Sequence, residues 1–377
     1  MLTPEQIEAI RLQLFRLTDP VNTFLLSDIA RRVKEAGQLT SAAQYQVWVS
    51  QMLGVSQERT KRELGRLLKK SRKEIDKLMT QAAEVGYDFD LSRLPSADAI
   101  PFEQNGTVQQ ILRAAIDMAD ADFHNLTQTM GMVGPYGRPM PLRDVYLSCT
   151  DYAFKLTSTG ATDYMTAIRK ATRKLADYGV LSVNYESGVK TSLEAAVRRN
   201  IMGGLGLMQE QISQHNHDTL GADGWEISAH ANSAPDHEPY QGKQYTDAEY
   251  QALQDSLHRH IGTLNCGHVA SPIIVGVSAP QYTKKELKDF QSSNKSGIMY
   301  EGRHFTGYEA TQQQRALERA IRQEKRRLLV DRAGGDLRSL PQDRSRLNII
   351  TQRYKHFCKA AGLRPETERM HVPGWVA

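Results

Sequence analysis

Histidine, cysteine, asparagine and carboxylate side chains crowd one stretch of this 377-residue chain, around Glu226-Ile-Ser-Ala-His230, Pro235-Asp-His237, Gln241-Gly-Lys243 and Gly262-Thr-Leu-Asn-Cys-Gly-His268. Two chemistries suit these types. His230, His237, Cys266 and His268 are ligands that zinc accepts, two from each of two loops, which would suit a metal-dependent nuclease or peptidase. Their spacing argues against such a site, because His230 and His237 are six residues apart and a single residue divides Cys266 from His268. Alternatively, Cys266 could act as a nucleophile with a nearby histidine as base and Asn265 or Asp236 to orient it. No cationic neighbour or evident helix start marks its thiol as activated.

A structural role accounts for the same residues more simply. Pro235, Gly242, Gly262 and Gly267 permit tight turns, and turn backbone groups need partners that side chains must supply. His230, His237, Gln241, Asn265 and His268 are therefore expected to form a hydrogen-bonded network, covered by Trp225 and Tyr240. On this reading the cluster is catalytically silent, and no cofactor is expected. The serine elbow, the Walker loop and the paired-histidine metalloprotease helix are all absent from the sequence.

Helices must position this stretch. Helical spacing predicts one from Leu2 to Lys34, started by Thr3 and Pro4 and interrupted near Asp19-Pro20. Further helices are predicted over Gln57 to Val85, Thr107 to about Thr129 and Tyr152 to Tyr178, with loops at Tyr87–Gly106 and Gly131–Pro141. Thr191-Ser-Leu-Glu194 reads as a capping box that opens a helix through Ile212, and Thr246 and Thr283 open two more. Trp225 to Ala229 and Pro272 to Val277 read as short strands, and Thr311 to Lys359 as basic helix. The expected class is α+β, predominantly α-helical. The expected division is a helical N-terminal domain (1–190), a small α+β domain (191–290) and a basic helical C-terminal region (291–377).

Composition narrows the remaining choices. With 40% hydrophobic residues the chain is long enough to bury real cores, and three scattered cysteines, Cys149, Cys266 and Cys358, point away from a disulfide framework. The charged N-terminus does not resemble a signal peptide, and no run is apolar enough to span a membrane, so no membrane partner is expected. Net charge is +5, with a pI near 8.9. Two basic runs concentrate it: Arg66, Lys69 and Lys70 in the second helix, and Arg322, Lys325, Arg326 and Arg327 near the C-terminus. Such runs form solvated faces, or contacts to an acidic partner or to double-stranded DNA of any sequence.

The order of the motifs carries more than any one of them. Glu226-Ile-Ser-Ala-His230, Pro235-Asp-His237, Tyr240-Gln-Gly-Lys243, Gly262-Thr-Leu-Asn-Cys-Gly-His268 and Pro272-Ile-Ile-Val-Gly276 together resemble the phage minor capsid protein 2 family, related to the Mu F-type minor head proteins. The resemblance extends to Ala30-Arg-Arg-Val33, Glu194 to Asn200 and Tyr308 to Arg322. The family pattern favours an arginine where this chain has Ala234 and another where it has Gly267. The resemblance implies a structural head protein, made in the bacterial cytoplasm during infection and built into the virion near the portal. Its implied partners are the portal protein and other head components, with packaged DNA as a further contact.

Overall fold

A computed structural model of the chain describes residues 4–39, 41–94, 100–183, 189–262 and 267–374. Its framework is helical. Helix α1 (Pro4–Gly37) runs through the interior, with Leu25, Leu26, Ile29 and Ala30 fully enclosed. Because it is wrapped on several sides, α1 continues through Pro20 rather than breaking there, as the sequence suggested. An internal proline costs about 3 kcal/mol, and full burial of each of these aliphatic side chains returns roughly 1.5–3 kcal/mol. The predicted cap Thr3 lies outside the described residues.

Helix α2 (Ala42–Arg93) is much longer than its predicted extent. The Ser41 hydroxyl accepts from the Gln44 amide at its start, and Leu67, Ser71, Ile75, Leu78, Ala82 and Tyr87 form its inward face. It takes in Tyr87 to Arg93, about the first third of the expected loop. Helix α3 (Gly106–Gln128) follows its predicted range, capped by the Asn105 side chain on the Val108 amide. The predicted Gly131–Pro141 surface turn is instead a hairpin of β1 (Met130–Val133) and β2 (Pro139–Pro141). Met132 and Val133 are fully buried there, and that tertiary burial overrides the local glycine and proline content.

The helix expected over Tyr152 to Tyr178 is two helices, α4 (Leu142–Ser158) and α5 (Tyr164–Tyr178), the second capped by Asp163. Strands β3 (Leu181–Val183) and β4 (Lys190–Ser192) then complete an antiparallel sheet of order β2-β1-β3-β4. This pairing holds Thr191 extended opposite Ser182, so the cap of α6 (Leu193–Leu220) falls to Ser192 and the predicted box at Thr191 does not form. Glu194 turns away to meet two arginines instead.

Beyond α6 lie β5 (Gly224–Ile227), β6 (Gln244–Thr246) and β7 (Ala270–Ile273), an antiparallel sheet with β5 in the centre. Both predicted capping boxes are present here, Thr246 with Glu249 opening α7 (Asp247–Ser256) and Thr283 with Glu286 opening α8 (Lys284–Ser296). A hairpin, β8 (Ile298–Tyr300) and β9 (Arg303–Phe305), precedes a further box at Thr306 and Glu309. The expected C-terminal helix is divided at Gly335 into α9 (Gly307–Gly334) and α10 (Leu340–Ala361), because Gly335 adopts a left-handed cap. One edge of α9 packs on α10 through Ile321, Leu328, Tyr354 and Phe357. Its other edge packs on α1 and α5, so the main core contains Ile7, Ile212, Leu329 and Val372 together.

Candidate functional site

The signature motifs are organised by β5. Alternation along the strand sends Trp225 and Glu226 to opposite faces. Trp225 lies between the rings of His217 and Tyr250, with centroids 4.9 and 5.3 Å away, and His217 is itself held between Asp218 and Asp247. It therefore joins α6 to α7. Glu226 is completely buried. It pairs with Arg93 from the end of α2, and accepts from the Gln244 side chain at 3.2 Å and the Gln281 amide at 2.7 Å. Removal of a buried carboxylate's charged partner typically costs about 3–5 kcal/mol, so Arg93 and Glu226 form a structural hinge-pin between sheet and helix. Glu226 was visible in the motif, but nothing in the sequence linked it to Arg93.

Past β5 the chain turns, and the three histidines gather. The ring of His268 stacks on that of His230 with centroids 4.6 Å apart, and His237 meets its edge at 5.6 Å. One atom ties the loops together: Gln241 Oε1 accepts from the His230 amide at 3.1 Å and from His268 Nε2 at 3.0 Å. His237 Nε2 donates to the Arg259 carbonyl at 2.7 Å, and His230 Nδ1 to the Ala231 carbonyl at 2.9 Å. Ser228 completes the turn, its hydroxyl accepting from the Val269 amide. Gly242, at φ +68°, fits only because it lacks a side chain: a Cβ would come within 2.2 Å of Leu287.

Burial favours the neutral form of His268 and His237. It pushes His268 down to about 2, aided by the charges His230, His237 and Arg259 would present, and it also lowers His237. The rings meet by faces and edges, and their donors are spent on an amide oxygen and backbone carbonyls. Among the described residues, no three His, Cys, Asp or Glu side chains are placed to hold a metal ion. Cys266 and Asn265 lie outside the described residues. Cys149 and Cys358 are buried free thiols, both pushed up by burial and so poor nucleophiles. Among the described residues the Tyr240 ring stacks on none of the histidines, and Trp225 serves the α6–α7 junction instead.

The two basic runs have different fates. Arg66, Lys69 and Lys70 are exposed on α2, although Arg66 is engaged by both carboxylate oxygens of Glu63. On α9 the cations turn inward. Arg322 and Arg326 both reach Glu194 Oε1 at 3.4 Å, Arg327 pairs with Asp177 and Glu324, and Lys325 donates to the Met370 carbonyl. The expectation that these four line an open contact face is corrected: Arg322 and Arg326 are enclosed, and all four are employed in joining α9 to α5, α6 and the C-terminal turn.

The sequence model of phage minor capsid protein 2 matches residues 2–359, from just before α1 into the last turn of α10. The chain belongs to that family. It is thus a structural protein of the bacteriophage virion. No curated protein and no solved structure matches it. Among the described residues no helix is long and apolar enough to cross a membrane.

Gly267 packs directly against the histidine cluster. A Cβ on Gly267 would lie 2.7 Å from His230 Nε2, so any side chain at 267 would displace the His230 ring from its stack on His268.

Proposed function

We propose that this capsid protein acts in head assembly beside the portal and meets packaged DNA through the outer face of α2. The observation that carries the DNA contact is the series Lys69, Lys73 and Lys77, all exposed and four residues apart. That spacing sets them along one side of a rigid helix at steps of about 6 Å. Phosphates reward such charge whatever the base sequence. The inner face of α2 is fixed in the core by Ile75, Met79 and Ala83, so the stripe is held outward. Portal proximity rests on family membership and on the resemblance of the motif series.

The reading is of a structural part rather than an enzyme. Its support is the histidine cluster, which puts its hydrogen-bonding groups to work on Gln241 and on loop backbone. Random duplex DNA should retain the purified chain in a salt-sensitive manner, and Lys69→Gln/Lys73→Gln/Lys77→Gln should reduce both retention and the salt slope. Retention equal in the triple variant would remove the α2 contact. Co-expression with the portal encoded in the same phage should give a co-purifying complex, and a chain that stays alone would remove the portal assignment.

A further inference from the structure

Arginines also converge at a place unrelated to the signature motifs. A cavity of 190 Å³ opens where α1, the start of α6, α9 and the turn at Glu368–Met370 meet. Arg315, Arg319 and Arg322 stand on one face of α9 at positions i, i+4 and i+7, and Arg198 faces them from α6. Arg369 closes the far side. Five guanidiniums therefore line the cavity against two carboxylates, Glu194 and Glu318.

The carboxylates offset this charge only at Arg322 and Arg369, the second of which also pairs with Glu8 from α1. Glu194 is taken by Arg322 and Arg326, and Glu318 pairs with Arg369 at 3.6 Å and accepts from the Tyr354 hydroxyl. Arg322 also lies over the Phe15 ring, 4.7 Å from its centroid. Among the described residues Arg198, Arg315 and Arg319 make no ion pair and no hydrogen bond. Buried Nε groups of Arg198, Arg322 and Arg369 lack acceptors, although Arg322 and Arg369 are each only 7% exposed. A buried donor without an acceptor is destabilising, and here several share one cavity. Burial and the surrounding arginines Arg315, Arg11, Arg322 and Arg319 push Arg198 down to about 10. The N-terminus of α6, capped by Ser192 at the cavity wall, adds a further partial positive charge.

We propose that this cavity binds a compact phosphate-class oxyanion, held by Arg198, Arg315, Arg319 and Arg322. Guanidiniums approaching from two helices supply forked donors to a tetrahedral group bearing several acceptor oxygens. A duplex backbone fits less well, because the cavity is recessed between four elements and only Arg319 of the four is exposed. The bound anion adds a tie between α6 and α9 beside the Glu194 pairs and offsets the repulsion between Arg198 and the unpaired α9 arginines. This site stands apart from the α2 contact, and neither depends on the other.

The test uses the full chain and pyrophosphate as probe, with sodium chloride at matched ionic strength as control. Pyrophosphate should raise the melting temperature well beyond the chloride control and bind measurably by calorimetry. Arg198→Gln/Arg315→Gln should weaken that binding at least about tenfold, while the unliganded variant melts no lower than wild type because like charges have been removed. If the double variant fails to fold, Arg319→Gln at the exposed rim should still weaken binding several-fold. A shift no larger than that of chloride, or one undiminished in the folded variants, overturns the proposal. Displacement of pyrophosphate by random duplex DNA at equal phosphate concentration overturns the compact ligand in favour of a DNA backbone phosphate.

Discussion

His268 and the His230 amide share a single acceptor, Gln241 Oε1, and the two imidazole rings stack 4.6 Å apart above it. Three chain segments, following β5, preceding β6 and preceding β7, are thereby fastened at one point. The consequence is local cooperativity, since none can shift without breaking the hydrogen bonds of the other two.

Gln241→Ala should therefore destabilise the chain by about 2–4 kcal/mol, since it leaves two buried donors without their acceptor. His268→Ala should cost a similar amount through loss of packing and of the same bond. Urea denaturation of both variants and of the double variant checks this, with the double costing clearly less than the sum of the singles. Singles whose midpoints match wild type would refute the fastening role.

The histidines also give stability a pH dependence of known sign. His268 stays neutral in the folded chain down to about 2, whereas the unfolded chain takes up the proton near 6.5. Its contribution is full above 6.5 and falls by on the order of 1 kcal/mol per pH unit below that. Asp19 and Glu318 act oppositely, because burial raises each to about 7 and the folded state binds their protons first. Comparison of wild type with His268→Gln isolates the histidine. The stability gap between them should narrow from pH 7 to pH 4.5, and a constant gap would exclude a buried neutral ring.

Glu194→Ala should be among the most damaging single changes, costing about 3–5 kcal/mol, because it strands Arg322 and Arg326 in the interior. Chemical denaturation measures it. Arg326→Gln should likewise lower stability, yet leave retention on duplex DNA unchanged, since its guanidinium faces Glu194 and the Ala176 carbonyl rather than solvent.

Gly242→Ala should lower the melting temperature through two separate causes, a left-handed backbone and a collision with Leu287. The first costs about 1 kcal/mol and the second about 1–3 kcal/mol. Leu287→Ala in the same chain should recover the second part alone. Additive losses in the double variant would show that the collision is relieved elsewhere.

What could be read from the sequence was what depends on near neighbours. The boxes at Thr246 and Thr283 need only the residue three positions on, and both formed as expected. The box expected at Thr191 failed because a strand partner outside the box itself, Ser182 in the preceding strand, holds that residue extended. The hairpin at Met130–Pro141, with its buried first strand, was hidden for the same reason: glycine and proline advertise a turn, while the burial of Met132 depends on the packed helices around it. The histidines were recognisable by type, and the Gln241 link was expected in kind. The stacking of Trp225 on His217 was not, since one lies on a strand and the other on the preceding helix. The α9 arginines were misread because charge is written in the residue, but its exposure is set by distant Glu194 and Asp177.

The seating of α9 against α1 bears on how the chain is made. A ribosome releases α1 long before α9 exists, so the apolar residues that α9 will cover stay open while nearly all the intervening chain is synthesised. Completion of the fold must wait for the last helices. Until then the α1 surface that α9 covers is open to contacts with other chains.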